Sequence, residues 1–146
     1  MFKAIVESAR KFKRAVTGAE EEAPDEALAI GEQIAQAFVA GRFADVHALG
    51  TPAFQHRTGR AQFVEQWSQA ARARGPFTTF EVTDAGPIDL GFIPGLEDVP
   101  QDDFVAFLEI AFASPAVPIH DDKVLTVGIV LLEDGDAIRL GALHAR

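Results

Sequence analysis

The spacing of apolar residues changes character at Pro76, and that change governs the architecture open to this chain. Before Pro76 apolar side chains recur every three or four residues; after it they alternate. The first period lays a stripe along a helix and the second gives a strand one apolar face, so helices come first and a sheet follows. The predicted class is α+β. From Asp25, the residues Ala27, Ile30, Gly31, Ile34, Ala35 and Phe38 share one helical face, opposite Glu26, Glu32, Gln33 and Gln36, and Gly41 ends the run. Phe43, Val46, His47 and Leu49 predict a short second helix, after which Thr51-Pro52 restarts the chain with Phe54 turned inward. Thr58 is expected to cap a third helix whose buried stripe is Phe63, Val64, Trp67, Ala70 and Ala71, stopped by Gly75-Pro76.

Four strands are expected, over residues 77–84, 103–113, 123–132 and 137–144, the last two joined by a hairpin at Glu133-Asp134-Gly135-Asp136. Residues 86–102, rich in Gly and Pro, read as a long surface loop with a short extra strand around Ile88 to Phe92. Strict alternation places Phe80, Val82, Phe104, Ala106, Leu108, Ile110, Phe112, Leu125, Val127, Ile129, Leu131, Ile138, Leu140 and Ala142 toward the helices. Thr79, Glu81, Val105, Phe107, Glu109, Val124, Thr126, Val130, Arg139 and Leu143 fall on the other face. That face is too apolar for plain exposure and too polar for a dry core. A homodimer contact over Thr79, Glu81, Phe107, Glu109, Thr126 and Arg139 is therefore expected, with Arg139 near Glu81 or Glu109.

At 146 residues the chain is long enough for one domain to bury its own core, here expected over residues 25–146. It has no Cys, so disulfides, thiol nucleophiles and thiolate metal sites are excluded. Together with the lack of Asn and Tyr and a bias to Ala, Gly and Arg, this points to a bacterial cytoplasm. A net charge of −9 argues against broad nucleic-acid binding, which needs a cationic face. The positive charge that exists is concentrated at the start: Lys3, Arg10, Lys11, Lys13 and Arg14 stand with Glu7 alone through Val16. Phe2, Ile5, Val6, Ala9, Phe12 and Val16 make residues 1–18 an amphipathic basic helix, followed by an acidic linker over 19–24. A docked helix, a membrane-surface helix through residues 2–16 and a cationic arm compete for this segment. Its narrow stripe, without Trp or Leu, favours the docked form.

The helix ending AQAFVAGRFADVHAL, then TPAFQHR, then FVEQWSQAARARGPF leading into the first strand, resembles the nuclear transport factor 2-like superfamily, with its polyketide-cyclase-like and ketosteroid-isomerase-like members. The resemblance covers Pro24 to the end. It implies three helices packed on a strongly curved antiparallel sheet of about four strands, a cystatin-like cone whose mouth opens between the two layers. It also implies dimerisation through the outer face of the sheet. The basic first helix lies outside that pattern.

An isomerase-like or cyclase-like site needs a carboxylate or imidazole in a dry pocket and a donor for the developing enolate. Without Tyr, the candidates are His144 and His56 as shuttle and Trp67 as donor, with His47, Glu109 and Asp84 also considered; alternation turns His144 toward the helices. For Glu109 a salt bridge on the outer face is the simpler role, for His47 that of a polar residue on the short helix, and for His56 a place in a solvent-exposed turn. His120-Asp121-Asp122 is a local metal candidate, but three adjacent residues cannot converge on one ion, so no metal or other cofactor is expected. Ser8, Ser68 and Ser114 lack the setting of a nucleophile elbow. Phe38, Phe54, Phe63, Trp67, Phe80, Phe104, Leu108 and Phe112 remain as the lining of an apolar pocket for a small molecule. The expectation is thus a noncatalytic small-molecule-binding or protein-interaction module, with a small cyclase, isomerase or hydratase as the alternative.

Overall fold

The computed structural model describes residues 23–74 and 76–145. The basic helix expected over residues 1–18, and the acidic linker as far as Glu22, lie outside the described residues, as does Gly75. Helix α1 spans Asp25–Ala40 and buries Ala27, Leu28, Gly31, Ile34, Ala35 and Phe38 along one face. Asp25 and Glu26 in its first turn favour the positive end of the helix dipole, and the Gly41 N–H closes the last turn on the Phe38 carbonyl. Helix α2 covers Phe43–Ala48.

Thr51 then caps a separate helix, α3, over Pro52–Arg57, its hydroxyl accepting from the Phe54 N–H at 3.1 Å. The restart at Pro52 is as expected, but it forms a helix of its own, so four helices are described instead of three. Thr58 does not cap the next helix. Its extended backbone closes α3, and α4, Arg60–Arg74, begins with the Phe63 N–H bonded to the Gly59 carbonyl.

Strands β1 (Thr79–Gly86), β2 (Phe104–Ala113), β3 (Leu125–Asp134) and β4 (Ala137–Ala145) form one antiparallel sheet in the order β1-β2-β3-β4. The β3–β4 turn is the Gly135-Asp136 hairpin, flanked by the pair Asp134 and Ala137. Helix α1 packs on β1, β2 and β4. At Gly31 it approaches the sheet so closely that a Cβ would stand 2.5 Å from the Leu108 Cδ1. Leu108, Ile129 and Leu140 are fully buried beneath the helices, on the side expected of them.

Strict alternation fails at three irregularities in the ladders, between Val82 and Asp84, Phe104 and Ala106, and Val130 and Leu131. Each adds a residue to one strand and reverses the facing of what lies beyond it. Phe104 and Ala142, expected toward the helices, therefore join Val130 and Leu132 in a cluster on the opposite face. Leu143, expected outside, packs into the main core, and His144 turns outward and is exposed. Arg139 sits opposite Leu132 at the hairpin end and pairs with Asp134 at 3.3 Å, far along the ladder from the register positions of Glu81 and Glu109.

The long connection between β1 and β2 holds short 3₁₀ turns at Leu90–Phe92 and Gln101–Asp103 in place of the expected extra strand. It is also not simply a surface loop. Leu90 and Leu96, 1% and 2% exposed, cover Val130, Leu132 and Ala142, with Ile93, Val99, Phe104 and Phe107 around them. Burying two leucines contributes roughly 1.5–3 kcal/mol each. The Gln101 side chain braces the loop from within, accepting from the Leu90 N–H at 2.9 Å and donating to the Ile88 carbonyl at 3.0 Å. Arg57 reaches past the edge of the sheet and donates to the carbonyls of Gly141 at 2.6 Å and Gly95 at 3.3 Å. The edge strand β4 is further shielded where Leu140 bonds Leu49 and Thr51 through the backbone, both at 2.9 Å.

Candidate functional site

A cleft of about 330 Å³ opens between the helix layer and the final residues of β4. Four elements build it. Helix α4 presents Phe63, Trp67, Ala70 and Arg74 at intervals of four, three and four, the spacing of one helical face, with Gln66 beside them. Phe54 and Thr58 come from α3 and its C-terminus, and Leu125, Leu143 and Ala145 from β3 and β4. The last two reach the cleft because the ladder sets Leu143 opposite Ile129 and Ala145 opposite Val127, both helix-facing.

The aromatic wall is held from behind. Buried His47 lies against Phe54 and Phe63 with ring centroids 5.9 and 5.6 Å away, and those two rings are 5.8 Å apart. Its Nε2 is 2.7 Å from the Thr58 carbonyl, which can only accept, so Nε2 carries a proton. The Gln55 amide in turn donates to the His47 carbonyl at 3.1 Å. Trp67 stands edge-on to Phe38 at 4.9 Å and 82°, which connects the wall to the deeper core through Phe112.

Among the described residues the lining side chains with polar atoms are Thr58, Gln66, Trp67 and Arg74. Arg74 is exposed at the mouth, where its Nη1 donates to the Lys123 carbonyl at 3.3 Å. Among the described residues no Asp, Glu or His belongs to the lining.

Of the eight residues expected around a pocket, Phe54, Phe63 and Trp67 line this cleft. Phe38, Phe80, Leu108 and Phe112 are at most 3% exposed and fill the core beneath it. Phe104 belongs to the cluster on the opposite face of the sheet. Thr58, Gln66, Ala70, Arg74, Leu125, Leu143 and Ala145 are lining residues not expected as such. Helical spacing from Phe63 through Ala70 already pointed to Arg74; Leu143 was hidden by the irregularity in β4.

The two imidazoles considered for proton transfer are not brought together: His56 is exposed on α3, and His144 is exposed on the outer side of the sheet. His120, Asp121 and Asp122 are exposed in a turn in which the Asp121 carboxylate accepts from the Lys123 N–H at 2.8 Å. Among the described residues no group of three or more His, Asp or Glu side chains is placed to hold a metal ion, and no helix is long and apolar enough to cross a membrane. Comparisons of the chain with protein-family models, with curated proteins and with solved structures give no match.

Proposed function

We propose that this chain is a noncatalytic module of nuclear transport factor 2-like type that binds a small apolar molecule between α4 and the end of β4. The observation that carries the reading is the make-up of the cleft. Its walls are Phe54, Phe63, Trp67, Ala70, Leu125 and Leu143, and its polar groups are donors or neutral amphoteric groups. Acid/base chemistry on an enolisable substrate asks for a carboxylate or imidazole within hydrogen-bond reach, and the described lining residues include no Asp, Glu or His. Small-molecule binding is therefore favoured over the cyclase, isomerase or hydratase alternative. The helix-to-sheet order and the site between the two layers also fit the cone suggested by the resemblance.

Association of two copies is proposed as a separate property. Phe107 and Val130 are packed against the chain's own loop, so the surface left to such a contact is the polar part carrying Thr79, Glu81, Glu109 and Thr126. Size-exclusion chromatography with light scattering at about 100 µM decides it: a single-chain mass removes the contact.

Trp67 is the sole tryptophan of the chain and lies in the cleft, so its emission reports occupancy. Titration with 1-octanol is expected to shift that emission saturably and to raise the melting temperature. Ala70→Phe, which fills the cleft, is expected to abolish the response while keeping the wild-type circular dichroism. A flat response to apolar alcohols, acids, steroids and lactones overturns the proposal.

A further inference from the structure

We infer that the cleft is built for a small apolar monocarboxylate, held by its charged end at Arg74; the inference rests on the binding role proposed above and adds the ligand class. Among the described residues Arg74 is the one charged residue in the lining, and no acidic side chain shares that lining with it. The chain as a whole carries net charge −9, so a carboxylate meets a favourable charge here only through a local device. A guanidinium is that device. It offers five N–H donors in a rigid fork that matches a carboxylate two-to-two, and the bond from Nη1 to the Lys123 carbonyl uses one while steadying the group at the mouth.

The shape of the site agrees with an occupant charged at one end and apolar at the other. Arg74 and Phe63 lie eleven residues apart on α4, which at 1.5 Å per residue sets their backbones about 16 Å apart along the axis. Between them run Ala70 and Trp67, faced across the cleft by Leu125 and Leu143, so the surface turns from cationic to apolar along a single line. A cavity of about 330 Å³, at roughly 30 Å³ per water-sized group, accommodates about ten non-hydrogen atoms. That is the size of a medium-chain acid. The apolar end is closed by Phe54 and Phe63, which both pack against His47. A cationic ligand is disfavoured by Arg74, and a neutral one leaves the guanidinium without its counter-charge.

Octanoate and 1-octanol, which share a chain and differ in the head group, make the test. Both are titrated against the full chain with Trp67 emission and calorimetry as readouts. Octanoate is expected to bind about five- to tenfold more tightly, as one charge-assisted pair near the surface allows. Arg74→Gln should lower octanoate affinity by about the same factor, leave octanol within twofold, and keep the wild-type melting temperature, because the side chain is exposed. Raising the salt from 20 to about 500 mM should weaken octanoate alone. Equal binding of both compounds, unchanged in Arg74→Gln, overturns the carboxylate assignment while the binding role stands. A preference for octanoate that survives Arg74→Gln overturns the role of Arg74. Binding of neither compound removes this inference, and failure of the wider panel as well removes the proposal beneath it.

Discussion

The Nε2 of His47 lies 2.7 Å from the carbonyl oxygen of Thr58, and this bond ties α2 to the joint between α3 and α4. It sets the backbone from which both Phe54 and Phe63 enter the cleft. His47→Ala removes the bond and the ring that both phenylalanines pack against, and leaves a void with an unpaired carbonyl. The expected cost is about 2–4 kcal/mol by urea unfolding. His47→Phe keeps the aromatic volume and loses only the donor, so it should cost about 1–2 kcal/mol. Equal stabilities for wild type and His47→Phe would show that the bond contributes nothing.

Arg57 and Gly95 form a second joint, between the helix layer and the loop that covers the outer face of the sheet. Gly95 has φ of 89°, and a Cβ there would stand 2.8 Å from the Arg57 Nε. Gly95→Ala therefore meets both an unfavourable backbone and the guanidinium, and is expected to cost about 1–2 kcal/mol. Arg57→Ala should cost roughly 1 kcal/mol and speed hydrogen exchange in residues 90–99 without affecting α1. Because the two changes break the same joint, the double variant should lose less than their sum. Strict additivity would mean that the joint is not a unit.

The approach of α1 to β2 at Gly31 gives a sign that propensity alone gets wrong. Alanine in place of glycine within a helix ordinarily stabilises by about 1 kcal/mol. At Gly31 the new methyl group meets the Cδ1 of Leu108, a fully buried side chain that must shift to admit it. Gly31→Ala is expected to destabilise by about 1–2 kcal/mol. Adding Leu108→Ala should cost less in that background than in wild type, and chemical denaturation of the four proteins checks the cycle.

Leu90 and Leu96 cover apolar surface that the sheet would otherwise expose. Leu90→Ser with Leu96→Ser should uncover Val130, Leu132 and Ala142, cost about 3–6 kcal/mol, and produce concentration-dependent association in light scattering. A doubly substituted chain that keeps the wild-type mass and melting temperature would show that the loop does not act as a cover.

The α+β order, the restart at Thr51-Pro52, the Gly135-Asp136 hairpin and the helix-facing positions of Leu108, Ile129 and Leu140 were legible in the sequence. All of them follow from signals within a few residues: apolar period, a proline, an Asp-Gly step. Of the helical part of the lining, Phe54, Phe63 and Trp67 were expected, while Thr58, Gln66, Ala70 and Arg74 were not, although the spacing from Phe63 to Arg74 is local. On the strands the lining was not legible. A single added residue in a ladder reverses every side chain beyond it, and whether it is added depends on the partner strand rather than on the residues themselves. That is why Leu143 exchanged faces with Ala142 and His144, and why Phe104 left the expected pocket. Nor does alternation reveal that a loop seventeen residues long folds back over Val130 and Leu132, since the attraction is between surfaces distant in sequence. Local periodicity thus determined which elements form and in what order. Long-range register and packing decided which side chains meet, and with them the place of the cleft.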